Sequence, residues 1–352
     1  MLDTRTSLFT FLVGSALVAL PGTSHAGRHG APQVCSLGSA AVGQQGTVIC
    51  KDTRTGATTQ SIPLGNTVAA AGGVGGTLSR RGDHVLVANQ AGGAVLFDED
   101  DGRLRNPVTL PTGSEGSLSG TLGQRGAYVV TATQLLFFPR GQHQATSSQP
   151  LLAGDGSASQ VALAGSYAYV AEKSGSLEAF LLGRDGNIIG PATPVTGIAA
   201  GTIVGITGYD DLIVAPVAHL ATSFNQAAIP VVNGTTGIQL VATKEVAACW
   251  TASEDGQVCV SNPGSMTVSC GRLGPGGFKS YTSAAANPQG DSVFDLDLRN
   301  GLVGIQATRA GAPVLQTYAR AEHDGDFLTL LGEYPLGTAR ASGALLLPPL
   351  SN

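Results

Sequence analysis

Short apolar runs, each closed by a polar turn, give this chain its pattern. The clearest copy spans Gly82 to Gly102: an apolar run from Val85 to Ala88, a polar turn, an alternating run through Ala94 to Phe97, and an acidic turn ending in Gly102. Related copies fill Gly165 to Gly186, around Tyr167 to Lys173, and Asp255 to Cys270, around Val258 to Asn262. Apolar runs this short, bounded by Gly, Asn and Asp, predict strands and hairpins rather than helices. Taking Leu86 as the reference, equivalent positions fall at Cys35, Val129, Tyr169, Ile213, Cys259 and Gly304, at separations of 51, 43, 40, 44, 46 and 45. A period near 45 residues is that of a four-stranded propeller blade, so the fold class is all-β and the expected architecture is a seven-bladed β-propeller. Stretches such as Ser159 to Leu163 and Thr202 to Thr207 read as inner strands. Blade one has no inner strand upstream of Gln33, whereas Ala341 to Pro348 reads as an inner strand without a blade. The C-terminal strand is therefore expected to complete the first blade, hiding two sheet edges at once.

Composition narrows the setting. With 50 Gly and 18 Pro in 352 residues and few Lys, Glu or Arg, turns should be plentiful and helices few. Arg5, the apolar run Leu8 to Leu20 and the small residues of Ser24-His25-Ala26 predict a signal peptide over 1–26, leaving 27–352 as one propeller domain. The mature chain is then expected to be secreted, extracellular or periplasmic, without a membrane span and monomeric. A net charge of -5 with no basic cluster argues against nucleic acid as a partner and for a small molecule. Export permits disulfides. The five cysteines leave the connectivity open; Cys35 with Cys50 is the natural first pair, and Cys259 with Cys270 would join equivalent strands of another repeat. Asn233-Gly234-Thr235 is a glycosylation sequon.

Propeller topology gathers residues that are distant in sequence. Loops joining the second strand to the third emerge on the same face as the crossovers between blades. Alignment to Leu86 puts Asn89, Gln90, Glu172, Lys173 and Asn262 around that rim, with His219 and Arg309 slightly further along. Asn89, Gln90 and Asn262 are candidate ligand contacts, although Asn also supports tight turns. Asp295 and Asp297 lie in a predicted inner strand, where they would need partners such as Arg299 or a metal, or else serve as a hydrogen-bonded structural pair, the reading favoured because no complete ligand set is visible. Arg81-Gly82-Asp83 coincides with ordinary turn chemistry. No nucleophile elbow, zinc motif or phosphate loop is present, and neither metal nor cofactor is expected.

The Gly82 to Gly102 copy resembles blades of the lactonase-family propellers, the group of 6-phosphogluconolactonase and 3-carboxy-cis,cis-muconate cyclase. Val170-Ala171-Glu172-Lys173, Ala248-Cys249-Trp250 followed by Asp255-Gly256, and Leu328 to Gly332 are similar to stretches of their secreted relatives. The resemblance implies lactone opening or closing. Glu172 would then be general acid or base, Lys173 and Arg309 would steady negative charge, and His219 would shuttle protons. The chain departs from that pattern at Ser114 to Leu118, where cytosolic members carry histidines. A non-catalytic binding propeller and a biosynthetic isomerase or cyclase are the alternative expectations.

Overall fold

The structure is a computed structural model that describes residues 30–39, 45–67, 78–89, 93–198, 201–218, 227–242, 245–286, 292–320 and 327–350. These residues form seven antiparallel sheets arranged as the seven blades of a propeller, with no helix among them. The predicted signal peptide, Gln90 and His219 lie outside the described residues.

Blade one places the C-terminal strand Arg340–Leu347 innermost, paired with Gln33–Ser39, which is followed by Gln45–Asp52 and Thr58–Thr67. The expected closure is present. Cys35 faces Leu345 on one side and Cys50 on the other. The Gln33 side chain donates to Gly102 O at 2.8 Å and Pro348 O at 3.0 Å, which ties the closing strand to blade two.

Why the second strands read as continuous apolar runs is visible in blade two. Val85 and Val87 enter a cluster shared with blade one, while Leu86, pointing the opposite way, enters a cluster shared with blade three. Both faces of a blade are covered, so the period-two alternation directs side chains to different neighbours instead of separating core from solvent. The seven apolar clusters of the described residues each fill one gap between adjacent blades.

Both proposed disulfides form, Cys35–Cys50 and Cys259–Cys270, each across directly opposed residues of a second and third strand. Cys249 keeps a free thiol, and burial pushes its pKa up to about 12, which disfavours the reactive thiolate.

Blade five corrects the reading of Thr202 to Thr207 as one strand. Its inner strand is split into Thr202–Ile203 and Thr207–Tyr209, and its second into Leu212–Val214 and Val217–Ala218. Gly205 donates instead to Cys249 O of the crossover into blade six at 2.9 Å, and Ile206 donates to Gln160 Oε1 of blade four at 2.7 Å. The backbone approaches so closely that a Cβ on Gly205 would lie 2.6 Å from Trp250 Cα, so glycine is required there.

Candidate functional site

The upper face, carrying the second-to-third-strand hairpins and the blade crossovers, holds the described residues of the sequence-predicted rim. Glu172 ends the second strand of blade four, Tyr167–Glu172, and is fully buried. The Ser157 hydroxyl donates to its Oε2 at 2.7 Å, whereas Oε1 has no hydrogen-bond partner. Burial pushes this carboxyl up to about 7; the Ser157 bond opposes the shift, and the negative charges of Glu178 and Asp155 add to it. Glu178 itself accepts the amides of Leu152 and Ala153, each at 3.0 Å, so two buried carboxyls fasten the crossover from blade three.

The other rim residues go separate ways. Lys173 is exposed and uses its amide, bonded to Ser157 O, to hold the same crossover. Arg309, in blade seven, pairs with Glu333 at 2.6 Å. Asn89 donates its amide to Ser117 Oγ at 2.7 Å, within the stretch where the resemblance would place histidines. Asn262 donates to Thr267 and Ser269 hydroxyls at 3.1 and 2.8 Å, supporting its own hairpin. Among the described residues, no hydrogen bond or ion pair joins Glu172 to Lys173 or Arg309. Asn233 is exposed at the end of the strand Ala227–Asn233.

The opposite mouth of the channel brings charges together. A central cavity of about 360 Å³ is lined by inner strands of all seven blades, with Arg80, Gln160, Thr207, Glu254 and Asp297 among its polar side chains. Arg80 also borders an adjoining cavity of about 480 Å³, beside Arg299 and Glu99. Local chain geometry explains the placement: Arg81, Glu254 and Arg299 are the last residues of inner strands Leu78–Arg81, Thr251–Glu254 and Ser292–Arg299, each just before a tight turn. Arg80 stands 3.7 Å from Glu99, and Arg299 donates to Leu346 O at 3.2 Å.

Asp297 accepts the amide of Leu346 at 2.7 Å, so the closing strand reaches the site directly. Burial pushes its carboxyl up to about 6, against the pull of that amide and of Arg80. Glu254 is shifted upward too, chiefly by burial, with the Asn300 amide and both arginines opposing. Burial lowers the Arg299 pKa, and the nearby Arg80 charge adds to that. Two guanidinium groups that can hold an anion therefore stand beside two carboxyls whose proton affinity burial raises, that of Asp297 to about 6. Asp295 lines the same cavity, is buried and accepts the adjacent Leu296 amide. No group of three His, Cys, Asp or Glu among the described residues could hold a metal ion.

Sequence reasoning raised Asp297 and Arg299 but passed over Arg80 and Glu254. A usable signal was present, because charge recurs immediately before the first turn of blades two, six and seven.

No family model and no curated protein matches the chain. Its likeness is to solved structures. A candidate 6-phosphogluconolactonase from Bacteroides uniformis matches with a TM-score of 0.59 at 14% identity, covering 90% of this chain and 99% of that one. Another from Bacteroides fragilis gives 0.57 at 13% identity, over 93% and 99%. The computationally designed protein Ika8 gives 0.56 at 11% identity, over 90% and 93%. What is shared is the fold. A designed protein standing beside candidate enzymes illustrates that a fold does not by itself carry an activity.

Proposed function

We propose that this chain is a lactonase-like propeller that opens or closes the ring of a small organic molecule at the lower channel mouth. The observation that carries this reading is the convergence of Arg80, Glu254 and Asp297 on the cavity that all seven inner strands line, with Arg299 in the adjoining cavity that Arg80 also borders. In hydrolysis, Asp297 would take a proton from water as the oxygen adds to the ring carbonyl. The guanidinium groups would hold the resulting oxyanion, and the ring oxygen would leave with the proton. Ring closure is the reverse sequence. The two disulfides are compatible with an exported protein, as is the absence, among the described residues, of a helix long and apolar enough to cross a membrane. We assign the protein to the extracellular or periplasmic space, as a monomer acting on a small-molecule partner.

Assay of the folded protein against a panel of five- and six-membered lactones tests this reading. Turnover that Asp297→Asn abolishes supports it. Ligand-induced thermal stabilisation without turnover would instead favour a binding propeller. Glu172 supports a second catalytic reading, since its carboxyl is pushed up to about 7 and one oxygen is unpartnered. In that reading Glu172 is the acid or base, with Lys173 and Arg309 steadying charge and His219 relaying protons. Loss of turnover in Glu172→Gln, with Asp297→Asn active, would select it.

A further inference from the structure

A separate cavity of about 840 Å³ opens on the lower face between blades two and three. Its floor is apolar. Leu96 and Val108 are half-buried at the edge of the cluster that fills this gap, with Leu110 and Leu122 beneath them. The outer strand of blade two, Arg103–Leu110, makes room by its shape: the pairing register shifts between Leu96 and Asp98, and Asn106 takes a left-handed φ of 51°.

The rim is charged and ordered. Asn106 donates to Asp98 Oδ2 at 2.9 Å, and Arg140 donates to Asp83 Oδ1 at 3.3 Å. Arg140 also lies 3.2 Å from His84 Nε2. The other ring nitrogen, Nδ1, stands 3.3 Å from Asp98 Oδ1. Both rim carboxylates thus have partners. Arg81 and Arg125, which line the same cavity, make no ion pair among the described residues, although Asp185 stands near enough to Arg125 to feel its charge. Three guanidinium groups face two engaged carboxylates over an apolar floor.

We propose that this inter-blade pocket is a second ligand site and that it takes a small carboxylate with an apolar body. The hydrocarbon part would cover Leu96 and Val108, and the carboxylate would meet Arg125 and Arg81. An apolar body supplies the area-dependent part of binding, and the charge-assisted bonds fix the orientation. A neutral or cationic counterpart of the same length would lose those bonds. The ligand lies beside the channel; Arg81 and Leu122 line both cavities, whereas Arg125, Leu96 and Val108 line this one and not the central cavity.

Calorimetric titration with octanoate, octanol and octylammonium tests the proposal. Octanoate should bind best, and Arg125→Ala, a change at an exposed turn, should weaken it roughly tenfold while leaving octanol binding unchanged. Arg54→Ala, at an exposed turn of blade one, should have no effect. Val108→Gln, checked for an unchanged melting transition, should weaken octanoate and octanol alike. Equal binding of the three probes, no octanoate binding, or an Arg125→Ala protein that binds octanoate as the parent does would each overturn the proposal.

Discussion

Glu172 and Asp297 are both carboxylic acids with raised proton affinity at or near strand ends, yet they occupy opposite faces and different depths in the blade. Glu172 closes a second strand, one place out from the channel, and its functional atoms turn into the seam between blades, where Ser157 meets them. Asp297 lies near the end of an inner strand and is one of the side chains lining the channel. Position in the four-strand repeat therefore decides what a carboxyl can reach. The upper face turns its polar groups into crossover clamps and hairpin supports, while the lower mouth presents charge to a cavity.

The strongest way to break this comparison is to remove the closing strand, whose Leu346 amide Asp297 holds. Truncation before Arg340 exposes Leu345, Leu346 and Leu347, all buried, and removes the amide held by Asp297. At about 1.5–3 kcal/mol for each buried side chain, the three leucines alone should cost roughly 4.5–9 kcal/mol, the scale of the whole stability of a typical domain. Chemical denaturation would show this as a collapsed or absent folded baseline; a stable truncated ring would contradict the closure.

Exchange of the carboxyls separates the faces next. Asp297→Asn should lower lactone turnover by about 100-fold or more, the usual scale for a lost general base, while Glu172→Gln stays within about threefold. Stability gives the following, smaller contrast. Glu172 titrates higher in the folded chain, about 7, than its ordinary 4.5, so the stabilisation present in acid is lost as pH rises from about 4.5 through 7. Glu172→Gln should remove that loss and raise stability at pH 8 by on the order of 2 kcal/mol, with little change at pH 4. Melting temperatures across pH 4–9 check the sign; a variant less stable at pH 8 than the parent would contradict it. The smallest effect belongs to Arg309→Ala, which breaks an exposed pair with Glu333 and should cost under about 1 kcal/mol, measured by urea denaturation.

Much of this organisation was legible in the sequence because a propeller repeats one hairpin grammar. The reference positions from Cys35 to Gly304 all fall in second strands, and the orphan Ala341 to Pro348 run found its blade. The cysteine pairs were legible for the same reason, since equivalent strands place them opposite each other. The break in blade five was not, because it depends on Gly205 meeting Trp250 and on Gln160 arriving from a neighbouring blade. The lower mouth was overlooked for a geometric reason. Alignment on the C-terminal ends of second strands gathers the upper face, while Arg80, Glu254 and Asp297 become neighbours only when the first strands are aligned and the ring is closed.

The pH dependence of kcat/KM for a hydrolysed lactone, compared among the parent, Glu172→Gln and Asp297→Asn, tests the central claim most directly. The account predicts an ascending limb near pH 6 that persists in Glu172→Gln and disappears, with most of the activity, in Asp297→Asn. A limb near pH 7 that disappears in Glu172→Gln while Asp297→Asn turns over normally would contradict it and move the chemistry to the upper face.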